Sequence, residues 1–156
     1  MTTNIGLDAG GKKEIASALN VYVANLHVLY TKLHNFHWNL EGHSFFTVHA
    51  KLEEMYDGVA ESIDEFAERI LMLGERPLAS MKDYLATAKL AELPSKKFAS
   101  EDVVNALLED FRKIAEDLRG VVKLAQKHGD EGTADMAIGE LQKYEKSIWM
   151  LSAYLG

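Results

Sequence analysis

Four apolar stripes of helical period run through this chain, and together they leave little choice of fold class. Ile15, Leu19, Tyr22, Leu26, Leu29, Leu33 and Phe36 advance by alternating steps of four and three. Val48, Leu52, Met55, Val59, Ile63, Phe66, Ile70 and Leu73 make a second stripe with one four-four step. Val104, Leu107, Phe111, Ile114, Leu118, Val121 and Ala125 make a third, and Ala137, Leu141, Tyr144, Ile148, Leu151 and Leu155 a fourth. Residues three and four apart share one face of a helix, so each stripe predicts a long amphipathic helix. No segment shows sustained strand alternation with hairpin signals. A helix with one apolar stripe must bury it against a neighbour, and four of them predict an all-α four-helix bundle. The chain has 156 residues, enough for one such domain and too few for two ordinary ones.

Punctuation divides the stripes. Gly10-Gly11 is expected to precede the first helix, leaving residues 1–10 as a flexible segment ahead of a single domain that occupies 1–156. Glu41-Gly42 breaks the first helix from the second, with Ser44 a candidate N-cap. Gly74 closes the second helix and Pro77 follows it. Gly129 ends the third helix, and Thr133 is placed to cap the fourth. The connection over residues 74–100 contains both prolines, and Ser80 to about Lys89 within it reads as a short helix. A connection this long is a crossover that lets the second and third long helices run parallel, which is ferritin-like topology.

Composition removes several classes of function. The absence of cysteine excludes disulfides, thiolate zinc sites and cysteine nucleophiles. The first fifteen residues lack the apolar run of a signal peptide, and no stretch reaches the apolar length of a membrane span. A soluble, cytoplasmic protein is expected. Its formal net charge of −7 repels nucleic-acid phosphate in general.

The chemistry concentrates in residues 34–68, which hold four of the six histidines followed by a run of acids. His37, His49, Glu53, Asp64 and Glu68 are nitrogen and oxygen donors at helical spacing. Mixed imidazole and carboxylate ligation suits iron, zinc or manganese, and iron redox chemistry in particular. His49 and Glu53 share a face, as do Asp64 and Glu68. The two pairs lie about 22 Å apart along the helix, so one ion cannot touch both pairs of one straight helix. All four residues nevertheless fall within an arc of about 100°. His49, Glu53 and Asp64 each follow a core residue and so sit about 100° from it, and His37 stands in the same relation to Phe36. They flank the bundle and face a neighbour. Two copies of the second helix, antiparallel about a two-fold axis, would bring the His49 end of one to the Asp64 end of the other, giving two identical sites. A di-iron site inside one bundle would need Glu-x-x-His motifs, and no glutamate here has a histidine three residues later. Taken singly, each of these residues has an ordinary surface or interface reading. Their joint placement on one flank favours ligation.

The residues that carry this pattern, His37-Trp38-Asn39, Gly42, Phe45-Phe46, His49, Glu53, Asp64 and Ala67-Glu68-Arg69, resemble the signature of the Dps family. These are bacterial miniferritins named for DNA protection in starved cells. The likeness extends over the whole chain, including Trp149 in the last helix. It implies a hollow dodecamer with intersubunit ferroxidase centres. Each centre would take His37 and His49 from one subunit and Asp64 and Glu68 from its two-fold partner, with Glu53 serving the second iron. Zinc or another divalent metal would be able to substitute. Trp38 is similar to a family tryptophan that intercepts stray radicals. The reaction implied is oxidation of Fe(II), preferentially by hydrogen peroxide, with the ferric product stored as mineral.

The resemblance also gives Glu131 and Asp135 a role in lining three-fold pores that admit ferrous iron, beside a competing reading of Asp130, Glu131 and Asp135 as acids favoured at a helix N-terminus. Gln126 stands where some relatives carry a further acid. Glu54 and Asp57 are candidates to face the cavity. His34, His43 and His128 are read as interfacial, turn and helix-end residues. Many relatives bind DNA through a lysine-rich tail, whereas this chain offers Lys12 and Lys13, so DNA binding is expected to be weak or absent. Two other classes compete: a DNA-compacting nucleoid protein with a minor metal role, and a helical interaction module whose histidines are merely interfacial.

Overall fold

The computed structural model describes residues 4–156. The elements in order are α1 (Ala9–Asn39), β1 (Leu40–Glu41), α2 (Phe45–Met72), α3 (Met81–Thr87), β2 (Phe98–Ala99), α4 (Ser100–Lys127) and α5 (Glu131–Leu155). α1 and α2 form one hairpin and α4 and α5 a second, packed together as a four-helix bundle. Every residue of the first predicted stripe is at most 2% exposed, and the third stripe is buried throughout. Met55, Ile63 and Ile148 are only half-buried, and Leu155 is exposed. Met55 borders a cleft of about 410 Å³ between α2 and α5, together with Leu52, Leu107, Met150 and Leu151. None of the helices is long and apolar enough to cross a membrane, among the described residues.

The helix ends show which local signals operate. α2 and α4 stop in the same way. Gly74 and Gly129 take positive φ, and their amides return to Leu71 and Gln126. The next amides, of Glu75 and Asp130, reach Ile70 and Ala125, closing a Schellman pair at each end. Gly10-Gly11 does not precede α1 but lies in its first turn. The carboxylate of Asp8 accepts from the Gly11 amide at 2.8 Å and starts the helix at Ala9, ahead of both glycines. Gly11 is needed for close approach, because a Cβ there would stand 2.7 Å from His128 Nδ1. Of the segment expected to be flexible, residues 1–3 lie outside the described residues, while Ala9 and Gly10 are helical. Ser44 precedes α2 without a side-chain capping bond. The cap of α5 is Asp130 rather than Thr133, since Asp130 accepts from the Thr133 amide at 2.9 Å.

The crossover is fastened by asparagines on α1. Asn20 accepts from the Leu78 amide at 2.8 Å and donates to the Arg76 carbonyl. Asn25, fully buried, accepts from the amides of Lys89 and Leu90. Asn35 donates to the carbonyls of Leu93 and Pro94. These side chains satisfy backbone groups that an irregular connection over a core would otherwise leave unpaired. The short helix α3 appears where expected, capped by Ser80, and Tyr84 stacks on His27 with ring centroids 3.7 Å apart. One feature departs from the all-helical expectation. β1 and β2 pair in parallel, Leu40 with Phe98 and Glu41 with Ala99. Two residues are too few to show a period-two pattern. The pairing holds the starts of α2 and α4 at one end of the bundle, so these helices run parallel, as the crossover requires.

A buried ion pair crosses the bundle. Lys32 Nζ on α1 lies 2.6 Å from Asp110 Oδ2 on α4, and both side chains are 6% exposed.

Candidate metal centre

The turn between α1 and α2 folds the last turn of α1 back against the start of α2, which sets His37 beside His49. The two imidazoles stack with centroids 3.6 Å apart and planes inclined by 16°. Each ring is hydrogen-bonded to the other residue's backbone. His37 Nδ1 donates to the His49 carbonyl and His49 Nδ1 donates to the His37 carbonyl, both at 2.9 Å. A carbonyl can only accept, so each Nδ1 carries its proton and each Nε2 is left as the nitrogen free to ligate. The same hydrogen bonds fix the orientation of both rings, as the outer partners of metal-binding histidines do. His37 is buried and His49 half-buried, so this pair is both oriented and open on one side.

Aromatic rings surround the pair. Phe45 lies 4.7 Å from the His49 ring, and Tyr56 meets His37 edge-on at 5.3 Å. His34 stacks on Tyr56 at 4.0 Å while its Nδ1 donates to the Tyr30 carbonyl, which leaves it next to the pair rather than in it. Trp38 lies 5.0 Å from His34 and is 71% exposed.

The acids stand apart from the imidazoles. Glu53, Asp64 and Glu68 all project from α2 into solvent. None has a hydrogen bond or ion pair within the chain, among the described residues. Nor does any group of three or more His, Asp or Glu side chains converge to hold an ion within one chain, among the described residues. The structure thus brings His37 and His49 together and leaves Asp64 and Glu68 further along α2. The imidazole pair, one ring from α1 and one from the start of α2, and the Asp64–Glu68 pair further along α2 are thus separate parts of complementary chemistry.

Sequence reasoning passed over one residue beside these acids. Arg69, which carries part of the family resemblance but had no role assigned to it, ties the end of α2 to the start of α5. Its Nη2 lies 2.6 Å from Asp130 Oδ1 and its Nε donates to Thr133 Oγ1 at 2.9 Å. Gly132 makes room for the guanidinium, which a Cβ there would approach to 3.1 Å. Arg69 follows Glu68 directly, so this clamp holds the turn that presents Glu68. The signal available in the sequence was Asp130-Glu131-Gly132-Thr133, an acid cap followed by a small residue. Asp130 is 2% exposed and fully engaged, which separates it from its acidic neighbours. Glu131 and Asp135 are exposed and one turn apart on α5. His128 closes α4, and its Nε2 lies 2.9 Å from Glu14. That contact, with Lys127, holds the Glu14 carboxyl below its ordinary range. His43 is exposed in the turn.

Residues 16–156 match the family model for a ferritin-like domain. The chain is 45% identical over 144 residues to general stress protein 20U of Bacillus subtilis, covering 92% of this chain and 99% of the relative. It is 43% identical over 143 residues to DNA protection during starvation protein 2 of Bacillus anthracis, covering 92% and 97%. The crystal structure of a Dps protein from Vibrio cholerae O1, described as a member of a broad superfamily of ferritin-like diiron-carboxylate proteins, superposes with a TM-score of 0.94. That likeness covers 100% of this chain and 98% of the other at 38% identity.

Proposed function

This chain belongs to the Dps family of ferritin-like proteins, and from that premise we propose that it oxidises ferrous iron at centres shared between two subunits and stores the ferric product. The observation that carries this reading is the reciprocal hydrogen bonding of His37 and His49, which aims two Nε2 atoms outward with no carboxylate of the same chain beside them. In the proposed centre these imidazoles meet the partner's Asp64 and the partner's Glu68 across a two-fold axis. Glu53, one turn beyond His49, serves a second iron. An isologous contact of this kind makes two identical centres per dimer.

Ferrous ion is the substrate. Imidazole nitrogen suits the ferrous state, and hard carboxylate oxygen suits the ferric product. Two ferrous ions held at one centre deliver two electrons to one hydrogen peroxide, which with two protons leaves as two waters. A lone ferrous ion delivers one electron and releases hydroxyl radical. Pairing the ions is therefore what makes peroxide the preferred and harmless oxidant. Trp38, exposed beside the centre, intercepts radicals that escape. The ferric product accumulates as mineral inside a hollow dodecamer, with Glu131 and Asp135 lining the pores through which ferrous ions enter and Glu54 and Asp57 facing the cavity. Zinc or another divalent ion is expected to compete for the same ligands. The protein works in the bacterial cytoplasm as a single ferritin-like domain.

Anaerobic titration with ferrous salt tests the assignment. About two ions are expected to bind per centre, followed by oxidation on addition of peroxide. Both are expected to be lost in His49→Ala and in Asp64→Ala. Unchanged oxidation in the two variants would remove the basis of the site.

A DNA-compacting role is the second reading, and charge argues against it. Lys12 and Lys13 lie in the first turn of α1 rather than on a free arm, and each subunit carries a net −7. Binding driven by counterion release needs a surplus of cations that this chain lacks. In a gel-shift assay, no retained complex is expected at physiological salt. A complex that survives a salt titration would favour the nucleoid reading.

A further inference from the structure

Glu140 is a core carboxylate that the iron centre does not use. It is 4% exposed, and it accepts hydrogen bonds from three helices. Tyr22 Oη on α1 donates to its Oε2 at 2.7 Å, Ser62 Oγ on α2 donates to its Oε1 at 3.0 Å, and Lys143 Nζ on α5 donates to Oε1 at 2.8 Å. Tyr22 is itself 2% exposed, with the Phe66 ring edge-on at 4.8 Å. Burial, with Tyr144 and Glu140 alongside, pushes the Tyr22 phenol well above its ordinary range, so it stays protonated at rest.

Loss of an electron inverts that preference. An oxidised phenol is a very strong acid, and it reaches the neutral radical easily only if a base takes the proton as the electron leaves. A carbonyl cannot serve as that base, but a carboxylate can. Tyr84 donates to the Leu78 carbonyl, whereas Tyr22 is the tyrosine that donates to a carboxylate, among the described residues.

Position adds to the chemistry. Phe66 lies between Asp64 and Glu68 in sequence but faces the core, so Tyr22 sits behind the turn of α2 that presents those acids. The separation is on the order of one helix diameter, about 10 Å. On its other side Glu140 meets Lys143, which is 69% exposed and borders an open cleft of about 320 Å³ between α2 and α5. The buried pair therefore has solvent within one side chain's reach for returning protons.

We propose that Tyr22, with Glu140 as its proton acceptor, is an internal one-electron donor that quenches oxidising radicals before they damage the bundle core. The proposal rests on the iron-oxidation reading for the source of those radicals. In the step, the Oη–H bond of Tyr22 breaks and the proton passes to Glu140 Oε2. The electron passes to a hydroxyl radical, which becomes hydroxide. The products are the neutral Tyr22 phenoxyl and protonated Glu140. A ferrous ion then returns one electron, Glu140 returns the proton, and the pair is reset with one ferric ion formed.

Freeze-quench electron paramagnetic resonance on the assembled protein tests this in two arms. One adds hydrogen peroxide to the ferrous-loaded protein. The other oxidises the metal-free protein with photogenerated sulfate radical, and so does not depend on the iron centre. A tyrosine phenoxyl signal is expected in both, narrowed when ring-deuterated tyrosine is incorporated. Tyr22→Phe, which keeps the ring against Phe66, should lose the signal while ferrous oxidation proceeds at the wild-type rate. Glu140→Gln, which still accepts hydrogen bonds but cannot take the proton, should lose most of it, with oxidation diverted to a tryptophan radical. A signal in the metal-free arm alone supports the donor and counts against the iron reading. A signal unchanged in Tyr22→Phe or in Glu140→Gln, or no phenoxyl from the wild type in either arm, overturns the proposal.

Discussion

Subunits carrying His49→Ala and subunits carrying Asp64→Ala are each expected to lose ferroxidation, and to regain part of it when they are assembled together. Each variant alone removes one half of every centre. Losing a ligand should cost at least as much as losing its hydrogen-bonding support, about 100-fold in rate. In a mixed dimer the two lesions fall in the same centre. The other centre then holds an intact His37–His49 pair from one subunit and an intact Asp64 and Glu68 from its partner. Random pairing at equal amounts makes about half the dimers mixed, so about a quarter of all centres should be whole. Neither substitution is expected to prevent folding. Asp64 is exposed and unengaged, while His49→Ala gives up the ring's stacking on His37 and Phe45 and the one hydrogen bond its Nδ1 donates, at a half-buried site. The measurement is the initial rate of peroxide-driven oxidation in refolded mixtures against each parent. A mixture as inactive as its parents would mean that the imidazoles and the acids act within one subunit or not at all.

Periodicity in the sequence maps most directly onto the structure. A seven-residue stripe such as Ile15 to Phe36 records a face that must be buried along its whole length, so burial follows almost directly. The flank positions of His37, His49 and Asp64 follow from the same 100° per residue, and the separation of His49 from Asp64 and Glu68 follows from the rise per residue, so both are legible in the sequence. What periodicity cannot carry is a contact made by one side chain across a long loop. Asn20, Asn25 and Asn35 have no period, and their partners are backbone groups of the crossover. The β1–β2 pair joins two-residue segments that α2 and the whole crossover separate in the chain. Glu140 and Asp110 fall on core faces that a hydrophobic count treats as errors, although each is matched by a donor on another helix. The role of Arg69 is likewise invisible to periodicity, since it depends on Asp130, 61 residues on at the start of α5. The reciprocal hydrogen bonds of His37 and His49 needed the hairpin itself, since each ring is held by the backbone of the opposite helix.

Removing Asp110 is expected to destabilise the bundle as much as truncating a large buried side chain of its core. Asp110 Oδ2 lies 2.6 Å from Lys32 Nζ, with both side chains 6% exposed, so the ammonium has no route to water without disturbing α1 and α4. Breaking a buried pair from one side leaves the other charge desolvated and unmatched, which costs about 3–5 kcal/mol. The pair itself is worth far less than that, because both charges lost hydration on folding. Replacing both at once, Lys32→Met with Asp110→Leu, should therefore recover most of the loss of Asp110→Ala and is expected to lie within about 2 kcal/mol of the wild type. Urea unfolding of all three proteins at one fixed subunit concentration makes the comparison, since assembly contributes to the apparent stability. If Asp110→Ala costs under about 1 kcal/mol, Lys32 has found water or another partner, and α1 and α4 are not locked at this point. If the double variant is as unstable as the single one, the cost lies in packing volume instead of unmatched charge.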